Sequence, residues 1–125
     1  KKKKKGTAIY YLLTPDTFSG MHILTSDEIF HHYLGDAVEQ LQLFEDGTHK
    51  HVEIGTDLLA GQTPQMVVPK NVWQGARLKP GGKFALLGCT VAPGFDFADF
   101  SMGTRTALSA KWPAASEMIT SLTRD

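Results

Sequence analysis

The chain has 125 residues, 42% of them hydrophobic and 21% charged, which suits one compact domain and excludes disordered or collagen-like material. Its zero formal charge hides an asymmetry: five of the 13 basic residues are Lys1 to Lys5, which leaves eight against 13 acidic groups, a net of −5. An acidic domain of this kind lacks the footprint of a nucleic-acid binder, and no apolar run approaches the ~20 residues of a membrane span. The single cysteine, Cys89, excludes an internal disulfide framework and fits a reducing, cytoplasmic setting.

Residues 1–5 read as a solvated or added tail rather than a leader, because the apolar stretch from Ala8 to Leu13 runs straight into Thr14-Pro15-Asp16 without a cleavage pattern. From there short β-rich runs follow one another. Thr7 to Thr14 is the first. Ser19 to Leu24 and Glu28 to Tyr33 flank Thr25-Ser26 and read as a hairpin, and Val38 to Glu45 and Thr48 to Ile54 flank the Asp46-Gly47 turn. Gln65 to Val68 stops at Pro69, and Val72 to Leu78 and Lys83 to Val91 are expected to pair across Lys79-Pro80-Gly81-Gly82. Only the end is helical, over Arg105 to Lys111 and from Pro113 to about Leu122. About eight short strands must hide their edges, so the expectation is an all-β jelly roll or barrel over residues 6–100, with a helical segment at 101–125 packed on it.

Five histidines invite a search for a site. In a hairpin centred on Thr25, His22 faces Glu28, and strand alternation puts Phe30 and His32 on the same side while His31 points away. His22, Glu28 and one further donor make a ligand set; the plainer reading is a polar hairpin interior, which spacing alone favours. His49 and His51, alternating with Glu53, read as a solvent-facing strand edge, and Cys89 as a small core residue. No phosphate-binding loop, dinucleotide glycine pattern or serine-hydrolase elbow occurs.

Four segments carry a family resemblance: G-T-A-I-Y-Y-L-L-T at 6–14, S-x-x-H-x5-E-I-x-H at 19–31, P-Q-x-V-V-P-x-x-x-W-Q at 64–74 and L-x-G-C-T-V-A-P-G-F-D-F at 86–97. They resemble the cupin superfamily, in particular the cupin-5 group long catalogued as a domain of unknown function. The resemblance implies a double-stranded β-helix, similar in fold to deoxysugar epimerases. On the cupin metal pattern His22 and Glu28 fill two ligand positions, Leu24 stands where a second histidine is expected, and Gln74 replaces the last histidine. A tentative metal set is therefore His22, Glu28 and Gln74, with a divalent ion as the only cofactor in view and none required. The group shares a histidine at the position of His31, so His31 and His32 are equal candidates for the interior. Its members begin with a further segment, containing His-Pro-Glu-Gly-Gly, where this chain has lysines, and cupins often exchange amino-terminal strands, so a homodimer is expected.

The leading expectation is a barrel that binds a small polar metabolite, sugar- or carboxylate-like, with an isomerase- or epimerase-like reaction in which His22 is the base and Glu28 orients it. Phe30, His31, His32, Met66, Trp73 and Gln74 would line the ligand. The alternatives are a non-catalytic binding module and, third, a metal-dependent cupin enzyme. The partners expected are a small-molecule ligand and a second copy of the chain, with no nucleic acid and no membrane.

Overall fold

The computed structural model describes residues 4–124; Lys1 to Lys3, which belong to the expected tail, and Asp125 lie outside the described residues. Among the described residues nine strands form: β1 (Thr7–Leu13), β2 (Phe18–Leu24), β3 (Asp27–Gly35), β4 (Val38–Leu43), β5 (His49–Ile54), β6 (Gln65–Val68), β7 (Trp73–Leu78), β8 (Ala85–Ala92) and β9 (Phe100–Met102). They pack as two antiparallel sheets, one in the order β1-β8-β3-β6 and the other β5-β4-β7-β2-β9. Two short helices follow, α1 (Arg105–Lys111) and α2 (Ser116–Ser121). No helix among the described residues is long and apolar enough to cross a membrane.

The β4–β5 hairpin forms as its turn dictates. Gly47 takes the left-handed φ of +91° the turn needs, and the Asp46 carboxylate accepts from the Thr48 amide and hydroxyl. Strand pairing runs from Val38 with Ile54 to Leu43 with His49, which leaves His49 and His51 exposed on the edge strand.

Two expected pairings are corrected. β2 and β3 are not a hairpin: β2 pairs with β7 and β9, whereas β3 lies in the other sheet between β8 and β6. Asp27 turns that corner, its carboxylate accepting the Lys70 amide at 2.8 Å while Asn71 donates to the Leu24 carbonyl. Nor do β7 and β8 pair, since the glycine-rich link between them carries the chain across the sandwich. Asp36 draws it there by accepting the Lys83 amide at 2.7 Å, which also holds the Asp36 carboxyl below the usual range. Strand β9, unanticipated, extends the second sheet past residue 100.

Alternation sorts the core. Leu13, Phe30, Val38, Ile54, Val68, Ala76, Leu78, Ala85, Leu87 and Cys89 fill the space between the sheets. A second cluster covers the outer side of the five-stranded sheet, where Met21, Leu41 and Leu43 receive Leu108, Trp112, Ile119 and Leu122 from the helical end. Thr104 caps α1 by accepting the Ala107 amide, and the Trp112 indole donates to the Phe44 carbonyl at 2.9 Å.

Candidate functional site

Between the sheets one end is open. A cavity of about 450 Å³ lies there, bounded by β1, β2, β3 and β8 and by the segment that leads into β9. His22 and Glu28 are its ionisable floor; Tyr11, Phe30, Phe95, Phe97 and Phe100 supply the aromatic wall.

A bulge in β2 aims His22. Register with β7 shifts between Ser19 and His22, so both side chains reach the cavity although they are three positions apart, and Met21 turns outward into the second core. The bulge also orients the ring, because His22 Nδ1 lies 2.7 Å from the Gly20 carbonyl. A carbonyl only accepts, so Nδ1 carries the hydrogen of the neutral ring and the Nε2 lone pair is left facing the floor. Nε2 stands 4.0 Å from Glu28 Oε1, and the ring stacks on Phe100 with centroids 5.2 Å apart.

Glu28 arrives from β3, whose inward residues are Glu28, Phe30 and His32. Gln74, opposite His22 in β7, donates its amide to Glu28 Oε1 at 2.9 Å. Burial penalises both charges. It lowers the His22 pKa, against the opposing pull of the Gly20 carbonyl, and it raises that of Glu28 to about 7, with the Gln74 bond only partly offsetting. At neutral pH the floor thus holds a neutral imidazole able to accept a proton and, 4.0 Å away, a carboxyl group about half protonated. Cys89 shares this cavity, but burial and then the Glu28 charge push its thiol up, away from thiolate chemistry.

The other expected residues are placed as follows. Phe30 lines the cavity. His31 faces the outer side of the sheet, as alternation requires, with Nε2 3.2 Å from the Thr90 hydroxyl and its ring stacked near Tyr33. His32 faces inward but beyond the cavity, its Nε2 2.7 Å from the Asp36 carbonyl. Met66 packs against the first core. Trp73 points outward, next to Trp112 and the second core, because alternation along β7 gives the inward position to Gln74. Asp96 caps a 3-10 turn at Phe97–Asp99, accepting the Ala98 amide. Sequence reasoning missed Phe95, Phe97 and Phe100; the aromatic spacing of F-D-F-A-D-F at 95–100, just past the last long strand, was the available signal.

His22, Glu28 and Gln74 do converge, yet they do not fit a transition metal. Gln74 turns its NH2 group to Glu28 and so has its oxygen directed elsewhere, and Leu24 presents hydrocarbon to the same cavity. Two strong donors fall short of the three or more such a site uses, and among the described residues no three of His, Cys, Asp and Glu gather.

Two antiparallel sheets closing around an interior site, with a short helical cap at the carboxyl end, define a cupin barrel. The chain belongs to the Cupin superfamily (DUF985) family, whose model it matches over residues 1–103. The uncharacterized protein YML079W of Saccharomyces cerevisiae is 34% identical over 100 residues, covering 78% of this chain and 50% of that protein, so the chain spans about half the length of this curated relative. Protein SO0799 from Shewanella oneidensis superposes with a TM-score of 0.91 at 34% identity, over 98% of this chain and 77% of that one. A dTDP sugar isomerase from Desulfovibrio desulfuricans superposes with a TM-score of 0.68 at 14% identity, over 82% and 66%, a likeness of fold alone.

Proposed function

We propose that the chain is an isomerase- or epimerase-like enzyme that moves a proton next to the carbonyl group of a small metabolite, a sugar derivative or a related compound. One observation carries this reading: the neutral His22 Nε2 lone pair facing the Glu28 carboxyl across 4.0 Å on the floor of an aromatic cavity. The fold shared with a dTDP sugar isomerase supports it by analogy.

Mechanism follows from the protonation states. His22 Nε2 takes the proton from the carbon next to the carbonyl; the C–H pair becomes the enol double bond, and the carbonyl oxygen receives the Glu28 proton. Collapse of the enol returns both protons, and delivery to the opposite face or to a neighbouring carbon gives the isomer. His22 must be neutral and Glu28 protonated, so activity falls as pH rises through about 7 and again as acid protonates His22. No step passes through a metal.

The test is hydrogen exchange from D2O into candidate carbonyl compounds, followed by NMR. His22→Ala should slow exchange by about 10²–10⁴-fold with the fold intact by circular dichroism. Glu28→Gln, which has no proton to give, should slow it by a similar factor below pH 7 and leave a residual rate that no longer falls through pH 7. Unchanged exchange in folded His22→Ala refutes the assignment. A second reading, a non-catalytic binding module, is favoured by the largely apolar cavity wall, and a ligand held without exchange would select it.

A further inference from the structure

Among the described residues charge around the cavity is sparse. Among the described residues the only cation that lines it is Lys4, whose backbone carbonyl accepts the Gly94 amide at 2.7 Å and so ties it to the cavity mouth. All three arginines are engaged elsewhere. Arg77 bonds Glu39 at 3.0 Å, Arg105 holds Thr123 at 2.9 Å through its side-chain hydroxyl, and Arg124 lies over the Phe18 ring. A diphosphate is normally met by several cations or by converging amide and guanidinium donors, and this wall provides hydrocarbon instead.

The wall favours a ring. Phe95 contacts both Phe97 and Phe100 edge to face, with centroids 5.0 and 6.1 Å apart, while Phe97 itself remains 81% exposed at the mouth. A large apolar side chain that lines a cavity and keeps a free face has surface to give to a flat partner. At the floor a carboxylate ligand would stand against the Glu28 carboxyl, whereas a carbonyl oxygen can accept its proton.

We propose that the cavity takes a compact, ring-bearing ketone or aldehyde whose reacting end is uncharged, with the ring against Phe95 and Phe97 and any single anionic group kept at the mouth beside Lys4, and that it does not take nucleoside diphosphates. This rests on the proton-transfer reading and narrows its substrate class.

Binding is measured separately from turnover, by saturation-transfer NMR and titration of the whole chain at pH 7 with acetophenone, benzoate and thymidine diphosphate. The expected order is acetophenone first, at least tenfold tighter than either anion, and Phe97→Ser should weaken acetophenone about tenfold. Tighter binding of thymidine diphosphate, absence of acetophenone binding, or indifference to Phe97→Ser each overturn the proposal. The two readings fail apart: exchange on a bound nucleotide sugar would spare the chemistry and sink this class, while acetophenone bound by both wild type and His22→Ala without exchange in either would spare the class and sink the chemistry.

Discussion

Strands β1, β3 and β8 run from a filled end of the barrel to an empty one, and the contrast shows what makes a site in this fold. At one end Leu13 pairs with Ala85 and the interior is closed by Leu87, with Val38, Ile54 and Leu78 packed in the same cluster from the other sheet. At the other end the same alternation delivers Thr7, Ile9, Glu28 and Val91, but the opposing sheet has thinned to a bulged β2 and the three-residue β9. The interior rule is identical at both ends. What differs is the supply of opposing side chains, so the cavity is a consequence of topology and its chemistry is a consequence of what β2 and β3 place there.

Cutting into the filled end should produce the largest effect. Leu87 is 1% exposed, and Leu87→Ala should cost about 2–5 kcal/mol in urea unfolding while leaving the His22 titration unmoved. A loss below about 1 kcal/mol would show that the filled end relaxes as freely as the open one. Glu28→Gln should act in the opposite direction. The folded Glu28 pKa, about 7, lies above its ordinary value of 4.5, so the native state binds more protons than the unfolded chain and loses stability as pH rises from about 4.5 to 7. Above pH 7 that loss amounts to roughly 3 kcal/mol at about 1.4 kcal/mol per pH unit. The amide variant should therefore be more stable than wild type at pH 8 and level with it near pH 4, and equal stability at both would place Glu28 in water.

How far the sequence reaches differs between the two ends for the same physical reason. Strand positions and the interior face of β3 are local properties, so alternation separated Phe30 and His32 from His31 without any knowledge of pairing. His22 opposite Glu28 was also legible, though by an argument that does not hold: the two meet across the sandwich rather than across a hairpin. Corner turns such as those at Asp27 and Asp36 look like hairpin loops because both need the same polar turn residues, and only long-range amide contacts tell them apart. The orientation of Trp73 followed from alternation once Gln74 was inside. The aromatic wall left only a bare spacing in the sequence, since Phe95 and Phe97 belong to an irregular segment and Phe100 opens a three-residue strand, so no period marked which way the rings face.

Gln74→Leu sharpens the open end without emptying it. The Gln74 amide favours the charged form of Glu28, so its removal should raise the Glu28 pKa further, on the order of one pH unit for one lost buried hydrogen bond to a charged group. Carbon NMR of the labelled carboxyl reads it directly, and the fall in exchange activity should move to higher pH with it. A downward movement would mean that Glu28 takes its partner from elsewhere.

The smallest effect is expected at Phe100, where the open end touches its own wall. The ring stacks on His22 at 5.2 Å and 24° and is only partly buried, so Phe100→Leu should change stability by no more than about 1 kcal/mol. Its consequence is electrostatic. His22 titrates low because burial disfavours the imidazolium, and a smaller neighbour admits water to the ring. The His22 pKa should rise toward 6.5, and the acid limb of activity should move up with it. Proton NMR of the imidazole follows the shift. An unmoved His22 titration would mean that the open end is not set by its aromatic wall.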